Sequence, residues 1–222
     1  GKLASEVYPL HIAAHKGAPL KVVINLLAGN PEAVMARDSK YKRLPLHLAV
    51  MKGASPKVVL ALLKASPQAA KAHDRLGRLP LHYSVKASVN SEVITRYLLK
   101  AYAKGALKTD IQGYTALHVS CRCGSPLGII RMLIRVAPGV VNAKTEKGST
   151  PLICAQQAGG DPLVIEVLER GQADALKANA DDVFDLGSIG GSVSTFDSSP
   201  TMEDGTVFSK GGSIAGSLWS EK

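Results

Sequence analysis

One short phrase returns five times along this chain at nearly constant spacing. The copies are Pro9-Leu10-His11-Ile12-Ala13, Pro45-Leu46-His47-Leu48-Ala49, Pro80-Leu81-His82-Tyr83-Ser84, Ala116-Leu117-His118-Val119-Ser120 and Pro151-Leu152-Ile153-Cys154-Ala155. Their first residues are 36, 35, 36 and 35 positions apart. A period of this size, kept in step over the chain, specifies a stacked repeat array in which no unit buries its apolar face alone. Binding, rather than catalysis, is the expected work of such a chain.

The rest of each unit keeps the same step. Eight residues past the phrase start stand Gly17, Gly53, Ser88, Gly124 and Gly159, where a short helix needs a left-handed C-terminal residue. The first helix of each unit is therefore about two turns long. Further on come Val22-Val23, Val58-Val59, Val93-Ile94, Ile129-Ile130 and Val164-Ile165, then Leu26-Leu27, Leu62-Leu63, Tyr97-Leu98, Leu133-Ile134 and Leu168. That spacing predicts a second, amphipathic helix. Ser55-Pro56, Ser125-Pro126 and Asp161-Pro162 read as its start, a capping side chain followed by a proline whose missing N–H costs nothing at the first helical position. Asp74 to Gly77, Asp110 to Gly113 and Glu146 to Gly148 have turn chemistry. Each unit reads turn, helix, tight turn, helix.

Unit length, helix pair and phrase together resemble the ankyrin repeat, and Thr150-Pro151-Leu152 matches its usual wording. Leu44-Pro45-Leu46-His47 and Leu79-Pro80-Leu81-His82 are a Leu-Pro-Leu-His variant of it. The resemblance implies an all-α helix-turn-helix solenoid of about five repeats over residues 1–177, followed at 178–222 by a Gly/Ser-rich segment expected to be disordered or irregular. The units exceed the family's usual length slightly, and the surplus is expected in loops, after the first helix and around Asn30-Pro31 and Ser66-Pro67.

Composition fits a helical solenoid: 45% of residues are hydrophobic but only 5% aromatic. Cys121, Cys123 and Cys154 are odd in number and form no metal-type pair, which points to a reducing compartment, the cytoplasm or nucleus. No run approaches a membrane span, and Gly1 to Ser5 make no signal peptide. Phosphate-loop, nucleophile-elbow and dinucleotide motifs are absent, so the reading is of a non-enzyme without cofactor or metal. Both ends read as cut, which keeps a regulatory piece of a longer enzyme or channel as an alternative.

Charge is divided. Residues 1–177 carry 25 Lys and Arg against 11 Asp and Glu, whereas residues 178–222 carry 2 against 7. In ankyrin-like stacks the turn tips and the exposed ends of the first helices form a concave binding surface. Carried over position by position, the resemblance places there Lys16, Lys40, Tyr41, Arg43, Met51, Lys52, Arg75, Arg78, Lys86, Ile111, Tyr114 and Arg122. Basic residues interrupted by Tyr41, Met51, Ile111 and Tyr114 imply a protein partner with an acidic segment and apolar anchors. The acidic tail is a second candidate ligand of the same groove. Nucleic acid or an anionic membrane surface is the alternative, with single strands disfavoured because no regular aromatic stacking platform accompanies the cations.

The resemblance gives His11, His47, His82 and His118 a structural role, bonding the backbone of neighbouring turns. His11 and His15 stand four apart on one helix, but no carboxylate completes a metal site. In the tail, Gly187 to Val193 is echoed by Gly212 to Leu218, a repeated serine-rich stretch with modification potential.

Overall fold

The computed structural model describes residues 8–86 and 91–177; the expectations for the tail, for Ser88 and for its echo lie outside the described residues. Ten α-helices follow one another in pairs: α1 (Pro9–Lys16) and α2 (Leu20–Gly29), α3 (Pro45–Met51) and α4 (Pro56–Ala65), α5 (Pro80–Ser84) and α6 (Ser91–Ala101), α7 (Ala116–Arg122) and α8 (Leu127–Val136), α9 (Pro151–Gln157) and α10 (Pro162–Lys177). First helices pack on first helices from α1 through α9, and second helices on second helices from α2 through α10. The result is a two-layer stack with its core between the layers. Leu10, Leu46, Leu81 and Leu117, each one residue past the phrase start, are no more than 3% exposed; burial of such a side chain contributes about 1.5–3 kcal/mol.

The first helices are five to eight residues long. Gly17, Gly53, Gly124 and Gly159 end four of them with φ between 63° and 68°, the left-handed conformation expected there. Ser55 Oγ accepts from Val58 N–H and Asp161 Oδ1 from Leu163 N–H, capping α4 and α10 as expected. Ser125 does not cap. Its hydroxyl donates instead to the Val85 carbonyl of the preceding repeat, and α8 begins one residue later, after Pro126.

Two expectations about register change. In the third repeat, Val93 is 39% exposed while Ile94, Thr95, Leu98 and Leu99 are buried. The buried pair sits one residue later than in the neighbouring repeats, and α6 has 11 residues where α4 and α8 have 10. The stretches around Asn30 and Ser66 are not loose loops. They contain 3-10 turns, Pro31–Met35 and Pro67–Lys71, and matching turns follow at Ala103–Leu107 and Pro138–Asn142. Each buries a pair of small or branched residues: Ala33 and Val34, Ala69 and Ala70, Gly105 and Ala106, Val140 and Val141.

Candidate functional site

The phrase histidines hold successive repeats in register. Nε2 of His11, His47, His82 and His118 lies 3.1–3.2 Å from the carbonyl oxygens of Arg43, Arg78, Tyr114 and Ser149, each in the next repeat. In the last three, Nδ1 accepts the backbone N–H of Leu44, Leu79 or Thr115 at 3.0–3.2 Å. A ring accepting at Nδ1 must carry its proton on Nε2, so the pattern selects the neutral form. Burial lowers the pKa of all four, partly offset by the carbonyl contacts, and takes His47 to about 4. At the fifth position Ile153 replaces histidine and is 37% exposed.

The turns before each phrase form a second ladder. Asp74 Oδ1 accepts the N–H groups of Leu76 and Arg78, and Asp110 Oδ1 those of Gln112 and Tyr114. In the fifth repeat this role falls to Thr145, whose hydroxyl accepts from Ser149 N–H, rather than to the expected Glu146. Backbone bonds join turn to turn: Arg75 N–H to Tyr41 O, Ile111 N–H to Leu76 O, and Glu146 N–H to Gln112 O. Gly113, at φ 78°, lies so close to the next turn that a Cβ would stand 2.7 Å from Glu146 N.

Two of the expected groove cations belong to this ladder. Arg43 Nε is 3.4 Å from Asp74 Oδ2, and Arg78 Nε is 3.1 Å from Asp110 Oδ2. Tyr83 closes the first rung: its hydroxyl donates to Asp74 Oδ2 at 2.6 Å and accepts from Arg43 at 3.0 Å. Burial alone would raise the Asp74 pKa, but the bonds from Tyr83 and from backbone N–H groups outweigh it and hold the carboxyl below its ordinary value. Where Tyr114 replaces the arginine, Thr145 replaces the aspartate, so the rung is exchanged as a unit.

The remaining cations of that set, Lys16, Lys40, Lys52, Arg75, Lys86 and Arg122, are exposed. Arg75 donates to the Lys40 carbonyl, and Arg122 stacks 4.8 Å from the Tyr114 ring centre. The Tyr41 ring centre is 5.0 Å from Lys40 Nζ and 4.3 Å from Arg43 Cζ. Ile111 is 58% exposed. The first and second repeats enclose a cleft of about 470 Å³, which brings together Lys16, Lys40, Tyr41, Arg43 and Met51 with His11, Ile12, His15, Asp38, Ser39 and Leu48. Lys52, Arg75, Arg78, Lys86, Ile111, Tyr114 and Arg122 lie outside it. Sequence reasoning missed Ile12, Asp38 and Leu48 as its walls. The signal was present three residues past the phrase start, where Tyr83 stands alone among Ile12, Leu48, Val119 and Cys154.

A sequence model of ankyrin repeats, in three copies, matches residues 46–143. The chain carries ankyrin repeats. The first and fifth helix pairs lie outside the matched range, yet they stack on the ankyrin repeats within it through the same two layers. No curated protein matches the chain significantly. Ankyrin repeats indicate a protein–protein interaction module. Among the described residues no helix is long and apolar enough to cross a membrane, and no cluster of three metal-ligating side chains occurs. Cys121, Cys123 and Cys154 are free thiols, with burial pushing Cys121 up to about 12 and leaving it a poor nucleophile.

Proposed function

We propose that this ankyrin array is a non-enzymatic interaction module whose turn-and-first-helix face binds an acidic segment of a protein partner. One observation carries the reading. The buried acids of that face, Asp74 and Asp110, are consumed by Arg43 and Arg78, while Lys16, Lys40, Lys52, Arg75, Lys86 and Arg122 make no ion pair among the described residues. An excess of unpaired cations on one face attracts and orients an acidic partner. Exposed Ile111 and the Tyr114 ring supply apolar contact, so the partner needs anchors as well as charge. Segment 178–222 is of opposite sign to the array, with 2 Lys and Arg against 7 Asp and Glu. The free thiols fit a reducing compartment, cytoplasm or nucleus.

The test compares binding of fluorescent Glu-rich peptides containing aromatic residues with binding of a single-stranded oligonucleotide of equal charge, at low and high salt. The reading expects the peptides to bind more tightly and to retain affinity at high salt through their anchors. Tighter oligonucleotide binding with a steep salt slope would make the chain a polyanion binder instead.

A further inference from the structure

The cleft between the first two repeats lies where the ladder has neither its arginine nor its tyrosine in sequence. Between the second and third repeats the corresponding space is filled. Arg43, two residues before Pro45, reaches Asp74 in the following turn, and the Tyr83 phenol, three residues past Pro80, closes over both. Between the first and second repeats the turn aspartate is retained. Asp38 N–H bonds the Arg43 carbonyl just as Asp74 N–H bonds that of Arg78. The other two members are changed, since the sequence has Val7 where the arginine stands and Leu48 where the tyrosine stands.

Leucine is shorter than tyrosine, and here Leu48 lines the cleft together with Ile12 and Met51. Asp38 Oδ1 accepts Tyr41 N–H at 2.6 Å, and its carboxylate makes no ion pair among the described residues. In the next rung, the corresponding second oxygen receives a phenol hydroxyl. The cleft rim carries Lys16 and Lys40, both exposed and unpaired among the described residues.

We infer that this cleft takes a tyrosine side chain from an acidic segment of the partner, which replaces from outside the phenol that Tyr83 supplies from inside one repeat later. The ring packs against Ile12, Leu48 and Met51, and its hydroxyl donates to Asp38. Acidic residues flanking the tyrosine meet Lys16 and Lys40. The inference rests on the acidic-partner reading and narrows it to one motif and one cleft.

The experiment measures fluorescence anisotropy of labelled Glu-Glu-Tyr-Glu-Glu and its Tyr→Phe and Tyr→Ala forms with the full chain. It is repeated with Leu48→Tyr, which fills the cleft from within, and with Asp38→Asn, which keeps the turn acceptor but offers an amide N–H₂ in place of the second oxygen. The tyrosine peptide should bind about tenfold tighter than the phenylalanine peptide, as expected for a hydrogen bond to a charged acceptor. Leu48→Tyr should abolish binding without lowering the thermal midpoint, and Asp38→Asn should erase the tyrosine preference. Equal affinity for all three peptides, undiminished in Leu48→Tyr, would overturn the inference while leaving the acidic-partner reading standing. Failure of every peptide to bind would overturn both. If Leu48→Tyr does not fold, the Asp38→Asn comparison decides alone: an unchanged tyrosine preference contradicts the inference.

Discussion

His47, His82 and His118 each bond two repeats at once, so the loss of one should be felt as a stacking defect. His82→Ala is expected to lower unfolding free energy by about 1–3 kcal/mol, because buried groups in two turns lose a partner. His15→Ala, on an exposed side chain, should change it little; equal urea midpoints for the two variants would contradict this division. Arg78 behaves like the histidines rather than like a groove cation. Arg78→Ala leaves Asp110, 1% exposed at its side chain, without its guanidinium, and should cost about 3 kcal/mol or more. Arg122→Ala should leave stability unchanged within about 0.5 kcal/mol. The histidine role was legible in the phrase because the residue recurs at one position. The Arg–Asp rung was not, because its members lie in different repeats and position alone makes the arginine look free. Their joint exchange for Tyr114 and Thr145 was the available clue.

At the level of single elements, the turns set the spacing of the stack. Gly113→Ala forces a Cβ against Glu146 N and into a left-handed backbone, so it should destabilise by more than about 1 kcal/mol. At Gly139, where the same methyl meets open space, Ala should be neutral or slightly favourable. Chemical denaturation of the two variants gives the comparison. The second-repeat turn, Asp38 to Arg43, has one extra residue and no glycine, and Lys42 takes the positive φ of 55° instead. The helix pairs and their glycine ends were legible from spacing alone. The 3-10 turns were not, because a proline after a polar residue reads equally as a loop, and the buried pairs at Ala33, Ala69 and Val140 are too short to show periodicity. The one-residue slip at Val93 was hidden for a similar reason: Val93-Ile94 and Ile94-Thr95 both fit an amphipathic face.

For the molecule as a whole, the buried histidines couple stacking to pH. Their folded pKa values lie below the ordinary histidine value of 6.5, with His47 at about 4. Between those limits the unfolded chain binds more protons, so stability is intact above about pH 6.5 and is lost as pH falls through the folded values. For His47 alone the shift corresponds to about 3 kcal/mol. Urea midpoints should therefore fall steadily from pH 7 to pH 4.5, and a flat profile would contradict neutral, load-sharing histidines. The end repeats show what stacking supplies. Ile12 and Val22 are 52% and 43% exposed, whereas Leu48 and Val58, their equivalents one repeat later, are 8% and 2% exposed. One face, built from the turns and first helices, is expected to carry the binding. Amide NMR shift mapping of the full chain titrated with Glu-Glu-Tyr-Glu-Glu reads that face residue by residue. Shifts should concentrate at Ile12–Lys16 and Asp38–Lys52, with Lys57–Lys64 and Arg131–Arg135 on the second helices unmoved. Shifts centred on those second helices, with the first-helix face silent, would contradict it.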